Sequence, residues 1–232
     1  MELRFLGKGA AFYPLYGNTN AYFHKNGDLF LLDCGEGTYA ELYRRGELEH
    51  TGEVYVLVTH LHADHVGSLG SLISYFFCVL KKKIHIIHPE VSIVKLLEFE
   101  GVGKESYLYE NHFPYEADGV RAETVKVPHA DNMNCYGYIL TDEESCCYYS
   151  GDAAEIPKKV LSDFLEGKID KIYQDTSSHE TEKPSHCYYG TLEKEIPRPM
   201  RDRVYCMHLD GAYENTLLDL GFRVVEVETE EA

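Results

Sequence analysis

The feature that most constrains this chain is the run Thr59-His60-Leu61-His62-Ala63-Asp64-His65, together with what precedes it. Val54 to Thr59 is continuous, apolar and rich in β-branched residues, the pattern of a strand covered on both faces. His60, His62, Asp64 and His65 then fall within six positions, ahead of a helical stretch from Val66 to about Leu80. A loop between a buried strand and a helix is free to turn all four side chains into one cavity. Asp64 alone would suit the N-cap of that helix, and any single His would read as a polar surface residue. Four together point to a metal cluster on the rim of a sheet.

So short a cluster cannot complete two coordination shells, so further ligands must come from elsewhere. Three polar residues close apolar runs: His129 after Val125-Lys126-Val127-Pro128, Asp152 after Tyr148-Tyr149-Ser150-Gly151, and His208 after Val204-Tyr205-Cys206-Met207. A sheet delivers such strand-end side chains to a shared rim. Each alone reads as a loop residue; as a set they supply what the first cluster lacks.

The surrounding pattern is mixed. Strands are expected at Leu3 to Leu6, Asn20 to His24 and Leu29 to Asp33 around the Asn26-Gly27 turn. A helix at Thr38 to Arg45 precedes Val54 to Thr59; beyond Leu80 come strand Ile84 to His88 and helix Val91 to Phe99. The second half gives strands at Val120 to Val127, Tyr136 to Thr141, Cys146 to Ser150, Lys171 to Gln174, Val204 to Met207 and Arg223 to Val227. Helices are expected at Pro157 to Leu165, Tyr188 to Glu195 and Asn215 to Leu220. This is an α+β pattern of two sheets packed face to face with helices outside. No linker, low-complexity segment or internal repeat is visible, so residues 1–232 read as one domain. Glu100 to Ala117, rich in Tyr and Gly, fits neither period and suggests a surface insertion over a binding cleft.

Composition bounds the partners. The formal net charge of -17 would repel a long polyanion unless basic residues cluster in space. Lys81 to Lys83 and Arg198 to Arg203 are the only basic groupings, and both read as solvated surface turns. A large nucleic acid is thereby disfavoured, though not excluded, and a small-molecule substrate favoured. No run reaches the ~20 uninterrupted apolar residues of a membrane span, and Met1 to Phe5 lacks the basic start of a signal peptide. Seven cysteines, an odd number without C-x-x-C, with Cys146 and Cys147 adjacent in a strand, fit free thiols in a reducing compartment. The expectation is a cytoplasmic enzyme with no membrane partner; a homodimer is left open.

In order and approximate spacing, H-x-H-x-D-H followed by His129, Gly151-Asp152 and His208 resembles the metallo-β-lactamase superfamily over nearly the whole chain. The resemblance implies a four-layer αββα sandwich with two metals at one edge. It assigns His60, His62 and His129 to the first metal and Asp64, His65 and His208 to the second, with Asp152 bridging. Leu31-Leu32-Asp33-Cys34-Gly35 resembles the family's early strand motif, whose Asp supports the ligands; read alone, Asp33 is a turn residue before Gly35. Imidazole with carboxylate suits zinc, and admits manganese or iron. Two such ions share a hydroxide at neutral pH, which Asp64 can orient toward the scissile centre. Flavin-linked di-iron members carry Glu where this chain has His62, so the expected chemistry is hydrolysis.

Gln174-Asp175-Thr176-Ser177-Ser178 with Pro184-Ser185-His186 resembles the superfamily's phosphodiesterase branch, which includes transfer-RNA 3′-processing ribonucleases. His186 matches that branch's His near the metals and is the expected general acid; as a helix-start residue it would have no such role. His179 is a weaker competitor. The expected function is a dinuclear metal-dependent hydrolase of a small phosphodiester. Hydrolysis of a carboxylic ester, thioester or lactone is the alternative, and a non-catalytic metal-binding sensor the third reading.

Overall fold

A computed structural model describes residues 1–113 and 117–227. Its twelve strands form two six-stranded sheets. The first comprises, in spatial and chain order, β1 (Arg4–Phe5), β2 (Ala21–Lys25), β3 (Asp28–Leu32), β4 (Val54–Leu57), β5 (His85–Ile87) and β6 (Leu108–Glu110). The second runs β7 (Arg121–Val127), β8 (Cys135–Thr141), β9 (Cys146–Tyr149), β10 (Lys171–Asp175), β11 (Val204–Met207) and β12 (Arg223–Val224). In each sheet the first two pairings are antiparallel and the last three parallel. The same topology therefore occurs twice, although no sequence repeat announces it.

Strand periodicity builds the layers. Along β3, Leu29 and Leu31 join the outer core of the first sheet while Phe30 and Leu32 point to the layer between the sheets. Along β4, Val54 and Val56 face outward and Tyr55 and Leu57 inward, so burial on both faces is real and follows from the side-chain period of 2. In β9, Cys147 and Tyr149 enter the inner layer while Cys146 and Tyr148 face the outer core of the second sheet. The adjacent cysteines point apart, and all seven are free. Helices α1 (Thr38–Arg44), α2 (Ala63–Val66), α3 (Leu69–Tyr75) and α4 (Ser92–Phe99) belong to the first half, and α5 (Lys158–Leu165), α6 (Tyr189–Glu195) and α7 (Glu214–Asp219) to the second. Leu42, Leu69, Leu72, Ile93 and Leu97 cover one sheet; Val160, Phe164, Leu192 and Leu217 cover the other. The result is the expected αββα sandwich.

Several expectations need correction. The long helix after the His cluster is α2 and α3, broken at Gly67-Ser68 and ending in a π-helical turn, Phe76–Leu80. Ala63 to Leu80 is apolar and long enough to pass for a membrane span, but Val66, Leu69, Leu72, Ile73 and Phe76 are spent on the outer core. Glu100 to Ala117 is not a flap over the cleft among its described residues. Leu108–Glu110 adds β6 to the sheet edge, while Tyr107, Phe113 and Ala117 are buried in the cores. Arg198 to Arg203 is only partly a solvated turn: Arg201 is buried and donates to the carbonyls of Ile196, Glu193 and Leu220. The expected last strand shortens to Arg223–Val224, with Val227 bridging to Phe5, and residues 228–232 lie outside the described residues.

Candidate metal centre

The parallel strands carry the candidate residues to one rim. β4 leads through Val58 and Thr59 to His60, β9 through Ser150 and Gly151 to Asp152, β10 ends on Asp175, and β11 leads to His208. Two turns there require unusual backbone. Gly151 has φ +57°, and a Cβ on it would lie 2.8 Å from the Thr59 side chain, so only glycine lets the strand end turn Asp152 toward the first sheet. His208 itself has φ +56° and its N–H donates to Thr19 Oγ1 at 3.1 Å.

All seven sequence-derived candidates come together there, in two overlapping groups. His60, His62, His129 and Asp152 can each offer one atom to a common point, and so can Asp64, His65, His208 and Asp152. In the first group His60 Nε2 and His129 Nε2 lie 2.9 and 3.3 Å from His62 Nδ1, and 3.8 and 3.6 Å from Asp152 Oδ2. In the second, His65 Nε2 and His208 Nε2 lie 3.1 and 3.3 Å from Asp152 Oδ1, and 3.2 and 3.3 Å from Asp64 Oδ2. Asp64 is no N-cap: it sits in the first turn of α2 and makes no capping bond.

Each of three imidazoles is oriented from behind. His65 Nδ1 donates to Asp33 Oδ2 at 2.8 Å, and Asp33 also accepts from the Thr59 N–H and hydroxyl. His129 Nδ1 donates to the Ser185 carbonyl at 2.8 Å, and His208 Nδ1 lies 3.3 Å from Asp175 Oδ1. The His65 and His129 bonds place the proton on Nδ1 and leave the inward Nε2 lone pair free, whereas His208 Nδ1 and Asp175 Oδ1 face each other as a charge contact without a hydrogen bond. Asp33 is thus a support for the site, beyond its place in a turn.

The donor set fits a metal. His65 Nε2 and Asp152 Oδ1 are buried without a hydrogen-bond partner, a costly state for polar atoms that a cation between them relieves. Burial and the neighbouring imidazoles push His60 and His62 down, leaving neutral rings able to coordinate. Burial opposes charge on His65 and His208, yet Asp152 and the nearby carboxylates prevail, lifting His65 well up and His208 to about 10. Despite its burial, Asp152 is held far below the carboxylate range by His208 and His65. The pocket therefore demands positive charge, which divalent ions supply in place of protons.

His186 borders the same cleft, half-buried, its ring 4.9 Å from that of His129 and 5.1 Å from that of His208. Its Nδ1 lies 2.7 Å from Asp175 Oδ2, and Asp175, against burial that opposes it, lifts its pKa. Asp175 is the residue to which sequence reasoning gave no role, although it ends a buried strand as Asp152 nearly does. That position was the signal it offered. His179 is exposed and does not border the cleft.

Comparison with known proteins agrees with this geometry. The family profile of the anti-Pycsar protein Apyc1 matches residues 1–99 and 104–225. The anti-Pycsar protein Apyc1 of Paenibacillus harenae is 26% identical over 223 residues, covering 90% of this chain and 89% of that protein. Ribonuclease Z of Haloarcula marismortui is 39% identical over 172 residues, 67% of this chain and 52% of that protein. Among solved structures, the metallo-β-lactamase fold protein YhfI of Bacillus subtilis superposes with a TM-score of 0.72 at 16% identity, covering 96% of this chain and 94% of that one. This chain belongs to the family of the anti-Pycsar protein Apyc1 and is a metal-dependent hydrolase of the metallo-β-lactamase superfamily, on its phosphodiesterase branch.

Proposed function

We propose that the chain is a dinuclear phosphodiesterase acting on a small, nucleotide-derived phosphodiester. The observation that carries this reading is the posture of Asp152, whose Oδ2 faces His60 and His129 while its Oδ1 faces His65 and His208. His60, His62 and His129 would hold one ion, Asp64, His65 and His208 the other, and Asp152 would hold both. The donor set suits zinc, with manganese or iron as the competing occupants. Bound there, two divalent ions supply a water deprotonated near neutral pH and positive charge against the charge that grows on phosphorus oxygens.

The chain's own residues do the rest. The Asp64 carboxylate, kept ionised by His208 and His65 despite its burial, accepts a hydrogen bond from the attacking water and orients it. His186, anchored through Nδ1 to Asp175, has Nε2 free to protonate the leaving oxygen. Among the described residues no Lys or Arg lines the cleft of about 500 Å³, which favours a substrate of low charge. A nucleoside cyclic phosphate, with one diester and one negative charge, is the smallest of the class.

A panel of a cyclic nucleotide, a precursor transfer RNA, a thioester and a lactone tests the assignment, with metal content measured on the same protein. Turnover of the small diester, with close to two transition-metal equivalents per chain, is expected. Turnover confined to the thioester or lactone, or to the RNA, would replace the substrate class. A metal-loaded protein that turns over nothing would favour the sensor reading.

A further inference from the structure

Phe12 is 98% exposed, whereas Phe5, Phe23, Phe30, Phe76, Phe113, Phe164 and Phe222 are buried. Phe99 is exposed too, but it lies on α4 and does not border the cleft. Phe12 borders the same cavity as His62, His129, Asp152 and His186. Its loop is braced on both sides. The Ala10 N–H donates to the Leu209 carbonyl at 3.0 Å and the Tyr13 N–H to the Ala10 carbonyl at 2.9 Å. Lys8 and Gly9 pair with Tyr16 and Gly17, and Tyr13 packs edge-on against Tyr16. A Cβ on Gly9 would lie 2.7 Å from the Tyr13 carbonyl oxygen, so the loop has closed on itself as far as its backbone allows. Leu209 follows the metal-ligand candidate His208, so the Phe12 loop is held in register with the metal centre.

An aromatic ring held in water beside a hydrolytic site forgoes burial that seven other phenylalanines obtain. Among the described residues, the rest of the cleft offers the His and Asp side chains of the metal centre, whose bound ions would meet a phosphate, then Ser185, one further acid, Glu36, and small alanines, with no Lys or Arg to grip further charge. Among the same residues, Phe12 is the one large apolar side chain on this lining, and so the broadest surface for what the diester carries. We propose that Phe12 is a specificity-determining residue, a platform on which the nucleobase of the substrate stacks while its phosphodiester lies at the metal centre. This inference rests on the phosphodiesterase reading above. Stacking is tolerant of base identity but grows with ring area, so purines should be preferred to pyrimidines.

The test compares adenosine 3′,5′-cyclic phosphate with the base-free methyl riboside cyclic phosphate on the metal-loaded enzyme. Phe12→Ala should raise KM for the adenosine compound about ten- to a hundredfold, leave kcat within about twofold, and leave the base-free compound unchanged; Phe12→Tyr should restore KM. The chain has no tryptophan, so Phe12→Trp gives a single tryptophan, excited apart from the tyrosines, that a phosphorothioate analogue of the adenosine compound should quench saturably. Equal changes with both compounds, no change with either, or an unquenched Trp would overturn the platform alone. If wild type turns over neither compound, the phosphodiesterase reading falls and takes the platform with it.

Discussion

Asp33 and Asp175 are fully buried and reach the reaction only through imidazoles, one behind His65 and the other behind His186 and His208. Asp33→Asn keeps the shape and removes the charge that makes His65 a strong donor. It should weaken metal binding about 10- to 100-fold, read by competition with a chromogenic chelator. Asp142, far from the cleft, acts on stability alone. Burial would raise its pKa, but the N–H groups of Glu144 and Ser145, donating at 3.0 and 2.9 Å, hold it at about 2. The folded-state pKa thus lies below the unfolded one, so as pH falls the unfolded chain takes up the proton first. The stabilisation is present in full above about pH 4 and disappears as pH drops through about 2. Asp142→Asn should therefore cost about 1 to 2 kcal/mol at pH 7 and little at pH 2, measured by urea unfolding at both.

At the scale of elements, the rim depends on how strands end. Gly151→Ala sets a Cβ against Thr59 in a backbone conformation that L residues rarely adopt. It should cost about 1 to 3 kcal/mol and weaken metal binding in the same protein, because the displaced residue is Asp152. Equilibrium unfolding with and without metal separates the two losses. Much of this rim is legible in the sequence. Val54 to Thr59 declares a strand buried on both faces, and His129, Asp152 and His208 each close an apolar run, so the rim follows from the pattern. Other parts are carried by contacts that no local pattern encodes. Leu108–Glu110 becomes a strand only because β5 offers it an edge. Arg201 leaves the surface because the carbonyls of Ile196, Glu193 and Leu220 converge on it. Asp175 looks like any polar residue at a strand end until the fold sets it beside two imidazoles.

For the whole molecule, the repeated topology decides where chemistry can sit. Corresponding strands of the two sheets point their ends at the same rim. His88, after β5, stands where His208 stands after β11, yet it is buried against the Val58 carbonyl and does not border the cleft. One half supplies His60, His62, Asp64 and His65, the other His129, Asp152 and His208. On the proposed assignment each ion draws ligands from both sheets, so the centre works as a clasp across the sandwich. Its closure is a mechanical property of the fold as much as a catalytic one. At free metal about 100 times the dissociation constant, each ion should add about 2.7 kcal/mol to unfolding, or roughly 5 to 10 °C in Tm for a chain of this size. Calorimetry before and after chelation, with metal then restored, would measure how tightly the clasp holds the two halves together.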